Sequence, residues 1–154
     1  MMKHFLKGFV FAFRGLIACA KEERNFRFHL VVAFHLFLYL PFFALSRAEV
    51  CATVILCGLV ISLEAMNSAL ERAVDCTEER SPRAGAAKDM AAGAVLAAAI
   101  TSVIGGIVLL WQPAAFSAIL RFYKKYPLAV LIQLLLGAGS VLFVCFTGGK
   151  TPAK

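Results

Sequence analysis

The sequence predicts an all-α membrane protein, with an N-terminal amphipathic surface helix, a core of three spans and a fourth transmembrane helix. Three observations predict this. The chain has 154 residues, 61% of them hydrophobic, and its mean hydropathy is +0.82, beyond the apolar share of a soluble domain. Four apolar stretches, 28–45, 50–70, 90–111 and 128–146, are each long enough to cross a hydrocarbon core of ~30 Å. The sixteen Lys and Arg residues gather between and beside these stretches, as they do at membrane edges.

Each element has its own warrant. Over residues 3–20, Phe5, Phe9, Phe13 and Leu16 recur at helical spacing, while Lys3, Lys7, Arg14 and Lys21 can meet head groups. Leu16-Ile17-Ala18-Cys19 imitates a lipoprotein cleavage box, but Arg14 cuts the preceding apolar run short. Pro41 bends the end of the first span. Ser46-Arg47-Ala48-Glu49 reads as a tight turn, and residues 76–83 as a polar loop. Ser81-Pro82 is an N-cap followed by proline at the first helical position. Trp111 anchors the end of the third span. Residues 112–127, with Pro113, Pro127 and the basic cluster Arg121, Lys124 and Lys125, form a connecting segment. The last stretch has Gln133 as its one strongly polar interruption.

Charge sets the orientation. With the N-terminus inside, twelve of the sixteen basic residues fall on the cytoplasmic side and four outside: Arg47, Arg121, Lys124 and Lys125. Both termini are then cytoplasmic. The net charge of +7 marks basic membrane edges rather than a nucleic-acid partner, since few surfaces remain for a duplex. The five cysteines are odd in number and form neither a CxxC pair nor a disulfide framework.

Glu64 lies within the second span. Glu64, Asn67, Glu71 and Asp75 follow at spacings that place them within an arc of roughly 80° on a helix. A carboxylate inside a membrane helix costs about 2.5–3.5 kcal/mol on insertion scales, so such a stripe points to function. The segment Lys21-Glu22-Glu23-Arg24-Asn25-Phe26-Arg27-Phe28-His29 and the pair Lys88-Asp89 fall at the same cytoplasmic boundary. Carboxylates dominate, at Glu23, Glu64, Glu71, Asp75 and Asp89, which suits Mg²⁺ rather than zinc. His4, His29 and His35 form no metal-ligand pattern. Gly149-Lys150-Thr151 resembles the end of a phosphate-binding loop, but Val144 stands where its first glycine belongs. Phosphoryl transfer needs in-line placement, cationic neutralisation and a base for the hydroxyl. Glu64 is the deepest carboxylate and suits the base; Glu71, two turns nearer the cytoplasm, suits a metal.

Glu64-Ala65-Met66-Asn67-Ser68-Ala69-Leu70-Glu71-Arg72-Ala73-Val74-Asp75 resembles the signature of the small prokaryotic diacylglycerol kinases, E-x-[LIVM]-N-[ST]-[SA]-[LIV]-E-x-x-V-D. Two further segments agree, Glu23 to His29 and Ala87 to Val95, and Asn25-Phe26-Arg27 with His29 is similar to the undecaprenol kinase branch. The resemblance covers about residues 3–111. It implies a multi-pass lipid kinase of the bacterial cytoplasmic (inner) membrane, a homotrimer using ATP and Mg²⁺, with its N-terminus in the cytoplasm. Residues 1–111 are then the kinase core, and 112–154 a connecting segment with an additional C-terminal transmembrane helix. Carried over, Glu64 matches the general base and, with Asn67, meets the lipid substrate. Glu23 and Glu71 match the carboxylates that hold the nucleotide-bound metal. Phe11, Glu23, Glu71, Glu79, Arg80, Ser81, Lys88 and Asp89 fall in the ATP site, with Lys88 near the transferred phosphate. Phe11 replaces a tyrosine of some relatives, which removes a hydroxyl contact. The acceptor is undecaprenol or diacylglycerol. The rival reading, a small transporter or channel using the carboxylate stripe as a cation path, needs polar residues across the whole span. Residues 50–61 are apolar apart from Thr53 and small cysteines.

Overall fold

The computed structural model describes residues 2–76 and 81–146, and among them every regular element is helical. Helix α1 covers Met2–Glu22, α2 Arg24–Tyr39, α3 Arg47–Asp75, α4 Pro82–Leu110, α5 Pro113–Lys125 and α6 Pro127–Phe146. A 3₁₀ turn, Leu40–Phe42, extends α2. Four segments are long and apolar enough to cross a membrane: Arg24–Phe42, Arg47–Asp75, Pro82–Leu110 and Pro127–Phe146. The final stretch is one continuous helix, as the four-span reading requires.

Local chemistry explains the boundaries. Glu23 stands in extended conformation between α1 and α2, so the chain turns an elbow there. Pro41 sits in the 3₁₀ turn, where its missing N–H ends the α-helical ladder. Residues 46–49 are not a free-standing turn. Ser46 is the N-cap of α3: its hydroxyl accepts from the Glu49 N–H at 3.3 Å, and Glu49 Oε2 accepts from the Ser46 N–H at 2.7 Å. This reciprocal capping box starts α3 three residues before the expected apolar span. At Ser81 the side chain accepts from the Ala84 N–H, with Pro82 opening α4, as the sequence predicts. Both long helices continue past their apolar stretches, which carries α3 and α4 beyond the hydrocarbon at the Glu71 end. The connecting segment 112–127 itself holds a helix, α5, opened by Pro113.

Helices α3 and α4 make the most extensive contact of the fold. The helices approach closely at Gly105, where a Cβ would lie 3.0 Å from Leu56 Cδ1, and Ser102 Oγ donates to the Leu56 carbonyl at 3.5 Å. Helix α2 packs on α3 from one side and on α6 from the other. The α2–α6 pair is antiparallel. Arg27 Nη2 reaches the Val144 carbonyl at 3.3 Å, His35 Nε2 lies 3.0 Å from Ser140 Oγ, and His35 Nδ1 lies 3.3 Å from Gln133 Nε2. At the far end Tyr39 and Tyr123 share a hydroxyl hydrogen bond of 2.7 Å. The start of α2, the end of α3, the start of α4 and the end of α6 therefore share one boundary. Helix α1 reaches the bundle near its C-terminus, where Cys19 is buried; Phe9, Phe13 and Leu16 are exposed, as are Lys7 and Arg14.

Candidate active site

Among the described residues few are buried, and several of these are polar. In α3, Glu64 is 4% exposed, Asn67 9% and Ser68 2%. They form a short ladder along one face. Ser68 Oγ donates to the Glu64 carbonyl at 2.9 Å, and Asn67 Nδ2 donates to Glu71 Oε1 at 2.8 Å. Asn67 Oδ1 is a buried acceptor with no hydrogen-bond partner. From the α1–α2 elbow, the Asn25 side chain hydrogen-bonds the Glu64 carboxyl, and Glu23 and Glu71 lie within its electrostatic reach. The structure thus brings together the proposed base, both proposed metal carboxylates and Asn67. Glu64 lies about 16 Å along α3 from Asp75, so it is deep while Glu71 is near the boundary.

Two basic residues complete the cluster. Arg72 Nη2 sits 3.2 Å from Glu22 Oε2 and 3.3 Å from Glu23 Oε1, tying the end of α3 to the elbow. Lys88 of α4 forms an ion pair with Asp75 of α3. Asp89, one position on, is exposed at the same boundary. Beneath the elbow, burial pushes the Cys19 thiol up, while the Arg72 guanidinium acts in the other direction.

The remaining ATP-site expectations fare differently. The Ser81 oxygen caps α4. Phe11 is 64% exposed, with the Arg14 guanidinium 6.0 Å from its ring centroid, and no described contact joins it to the carboxylates. Glu79 and Arg80 lie outside the described residues.

Sequence reasoning did not single out two positions that hold the cluster together. Arg72 lies about 60° beyond the edge of the carboxylate stripe, so helical spacing did not collect it. Arg27 is 3% exposed, and its Nη1 donates to the carbonyls of Ala20 and Lys21 at 3.2 and 3.0 Å. It braces the elbow that presents Glu23 and Asn25. Its position in the matched Asn25-Phe26-Arg27 segment was the available signal.

Among the described residues, no group of three or more His, Cys, Asp or Glu side chains is arranged to hold a metal ion by itself. The donor set still fits magnesium carried by a nucleotide, because Mg²⁺ uses one or two carboxylates and takes its other ligands from phosphates and water. Glu71 and Glu23, on facing elements at the boundary, are two such carboxylates. Outward from Glu64 the character changes. A cavity of about 420 Å³ opens between α2, α3 and α4, lined mainly by apolar side chains such as Val32, Leu36, Val60 and Val103. Val60, one turn outward of Glu64 on α3, is among the residues that line this apolar trough.

The sequence also has known relatives. The chain is 40% identical over 109 residues to undecaprenol kinase of Bacillus subtilis (strain 168), covering 70% of this chain and 89% of that one. It is 38% identical over 112 residues to a diacylglycerol kinase of Synechocystis, covering 71% and 64% respectively. With diacylglycerol kinase of Escherichia coli (strain K12) it shares 34% over 111 residues, covering 70% and 88%. No solved structure matches significantly. The prokaryotic diacylglycerol kinase profile matches residues 10–110, which hold Glu23, Glu64, Asn67, Glu71, Lys88 and Asp89, and the chain belongs to that family of membrane lipid kinases.

Proposed function

We propose that this lipid kinase transfers the γ-phosphate of ATP to the hydroxyl of undecaprenol, with diacylglycerol as the alternative acceptor. One observation carries the reading: a buried carboxyl, Glu64, lies on α3 between the charged boundary and Val60, which lines an apolar trough one turn outward. A nucleotide can approach from the first and a lipid alcohol from the second. The 40% identity with undecaprenol kinase favours the polyprenol, as does the Asn25-Phe26-Arg27 segment.

The roles follow from position. Glu64 takes the proton of the lipid hydroxyl as its oxygen attacks the γ-phosphorus, and ADP departs with the bridging oxygen. The Asn25 side chain holds that carboxyl in place. Asn67 orients Glu71 and offers its free carbonyl oxygen to the lipid head. Lys88 faces the transferred phosphate once Asp75 releases it. Glu23 and Glu71 would hold Mg²⁺, which neutralises phosphate charge when bound. Ser81, Asp89, Glu79, Arg80 and Phe11 belong to the wider nucleotide site in this reading. The protein works as a homotrimer in the bacterial inner membrane, with its N-terminus in the cytoplasm and α1 on the bilayer surface. A cation channel would need polar groups through the rest of α3, but the Thr53 hydroxyl there is bonded to the Glu49 carbonyl at 2.9 Å.

The test is transfer of labelled γ-phosphate from ATP to undecaprenol, diacylglycerol and other lipid alcohols in mixed micelles. Preferential labelling of undecaprenol is expected. Preference for diacylglycerol would reverse the acceptor assignment, and no lipid labelling would overturn the reading. Native mass spectrometry of the active enzyme should show a trimer; a fully active monomer would remove that part.

A further inference from the structure

The boundary opposite Glu64 has an unusual charge pattern. After Asp89 the sequence contains no Asp or Glu, yet α5 carries Arg121, Lys124 and Lys125. All three are exposed. Arg47 at the start of α3 adds a fourth cation at this level, and Glu49 is the one carboxylate there, engaged by the Ser46 cap. The positive-inside bias would deplete such a cluster from a boundary facing away from the cytoplasm.

Helix α5 is fixed at this level. Phe122 packs on Phe42 at 5.3 Å between centroids, and Phe116 on Phe43 at 6.1 Å and Trp111 at 6.3 Å. Tyr123 is hydrogen-bonded to Tyr39, and Ala115 is buried. Gln112 Oε1, at the N-cap of α5, accepts from the Ala44 N–H at 3.0 Å. These contacts attach one side of α5 to the end of α2. The helix still exposes Leu120, 63% accessible, beside Arg121, and Lys125 Nζ lies 5.1 Å from the Tyr126 ring centroid. A short helix that is basic and apolar, without an acidic residue, has the chemistry of a lipid interface. Lys124 and Lys125 also suit the carbonyl end of the helix dipole, but Arg121 lies a turn earlier and has no such local partner.

We propose that α5 is a lipid-recognition helix that selects anionic phospholipid in the leaflet opposite the phosphoryl-transfer site. The lipid phosphate contacts Arg121, Lys124 and Lys125, while Leu120 enters the acyl layer. This assignment is independent of the kinase acceptor.

Trp111 is the single tryptophan of the chain and lies beside α5, so its fluorescence reports the local lipid. The full protein is reconstituted in phosphatidylcholine vesicles. Phosphatidylglycerol or phosphatidylcholine brominated near the carbonyl end of its chains is added at equal mole fraction. Brominated phosphatidylglycerol should quench Trp111 roughly twice as effectively, with the excess falling as salt is raised. The triple variant Arg121→Gln, Lys124→Gln, Lys125→Gln should quench equally with either lipid. Equal quenching in the unmodified protein overturns the proposal, as does a preference that survives the triple change. The salt titration needs no variant. A preference insensitive to salt also overturns it, even if the triple variant fails to fold.

Discussion

The family core, residues 10–110, and the C-terminal pair α5–α6 use polar residues in opposite ways. In the core, several polar groups are buried: Glu64, Asn67, Ser68 and Arg27 lie under the boundary with Glu23 and Glu71. In α6 no described residue is buried, and its polar side chains Gln133 and Ser140 hydrogen-bond His35 of α2. A buried carboxylate is costly in a bilayer and persists through function. A Gln or Ser on a lipid-facing helix is cheap and needs only one partner. The contrast predicts chemistry in the core and attachment in the addition.

The largest effect should come from Glu64→Gln. The amide keeps the shape but cannot take the hydroxyl proton, so turnover should fall ~10²–10⁴-fold while nucleotide affinity is largely kept. A variant retaining more than about a tenth of normal turnover would remove Glu64 from the base role. Next come Glu23→Gln and Glu71→Gln. Each should raise the Mg²⁺ concentration for half-maximal turnover by roughly tenfold, the loss of one charge-assisted contact. Unchanged metal titrations in both variants would mean that the two carboxylates hold only Arg72 and Asn67, the partners seen here.

Ending the chain at Trp111 tests the other side of the comparison. No matched catalytic residue is lost, and Arg27 keeps its two α1 acceptors when the Val144 carbonyl goes. The truncated enzyme should keep turnover within about tenfold but melt at lower temperature, since interhelical hydrogen bonds in membranes contribute ~0.6 kcal/mol each. Loss as large as that of Glu64→Gln in a folded truncated enzyme would show that α6 is part of the catalytic architecture.

The same division explains what the sequence made legible. Span count follows from apolar length, and the Ser81-Pro82 cap from residue type, because both are local. The carboxylate stripe follows from helical spacing. The Ser46–Glu49 capping box was available in the sequence, but a run of four polar or small residues between apolar stretches also reads as a turn. Helix α5 escaped because two prolines and three cations surround a short apolar pattern, although Pro113 marked its start. The Arg72–Glu23 pair spans 49 positions and the Arg27–Val144 contact 117, and no periodicity encodes such distances.

The smallest expected effect concerns Cys19 and Cys76, which flank the same boundary. Cys19 is buried beneath the elbow, and burial raises its thiol above the ordinary range, so little thiolate is present at neutral pH. Cys76, at the end of α3, is exposed. In single-cysteine proteins at neutral pH, a maleimide should modify Cys76 well before Cys19, and raising the pH should speed Cys19 because more thiolate forms. Removing the Arg72 charge sharpens the test. Arg72 favours the Cys19 thiolate and clamps Glu22 and Glu23, so Arg72→Ala has two opposing consequences. Loss of the charge disfavours thiolate, while loss of the clamp loosens the elbow and exposes Cys19. Faster labelling in Arg72→Ala than in the Arg72 parent means that the ion pairs hold the elbow shut. Slower labelling means that Arg72 acts on Cys19 only through its charge, leaving Arg27 and the packing of α2 to hold the elbow that presents Glu23.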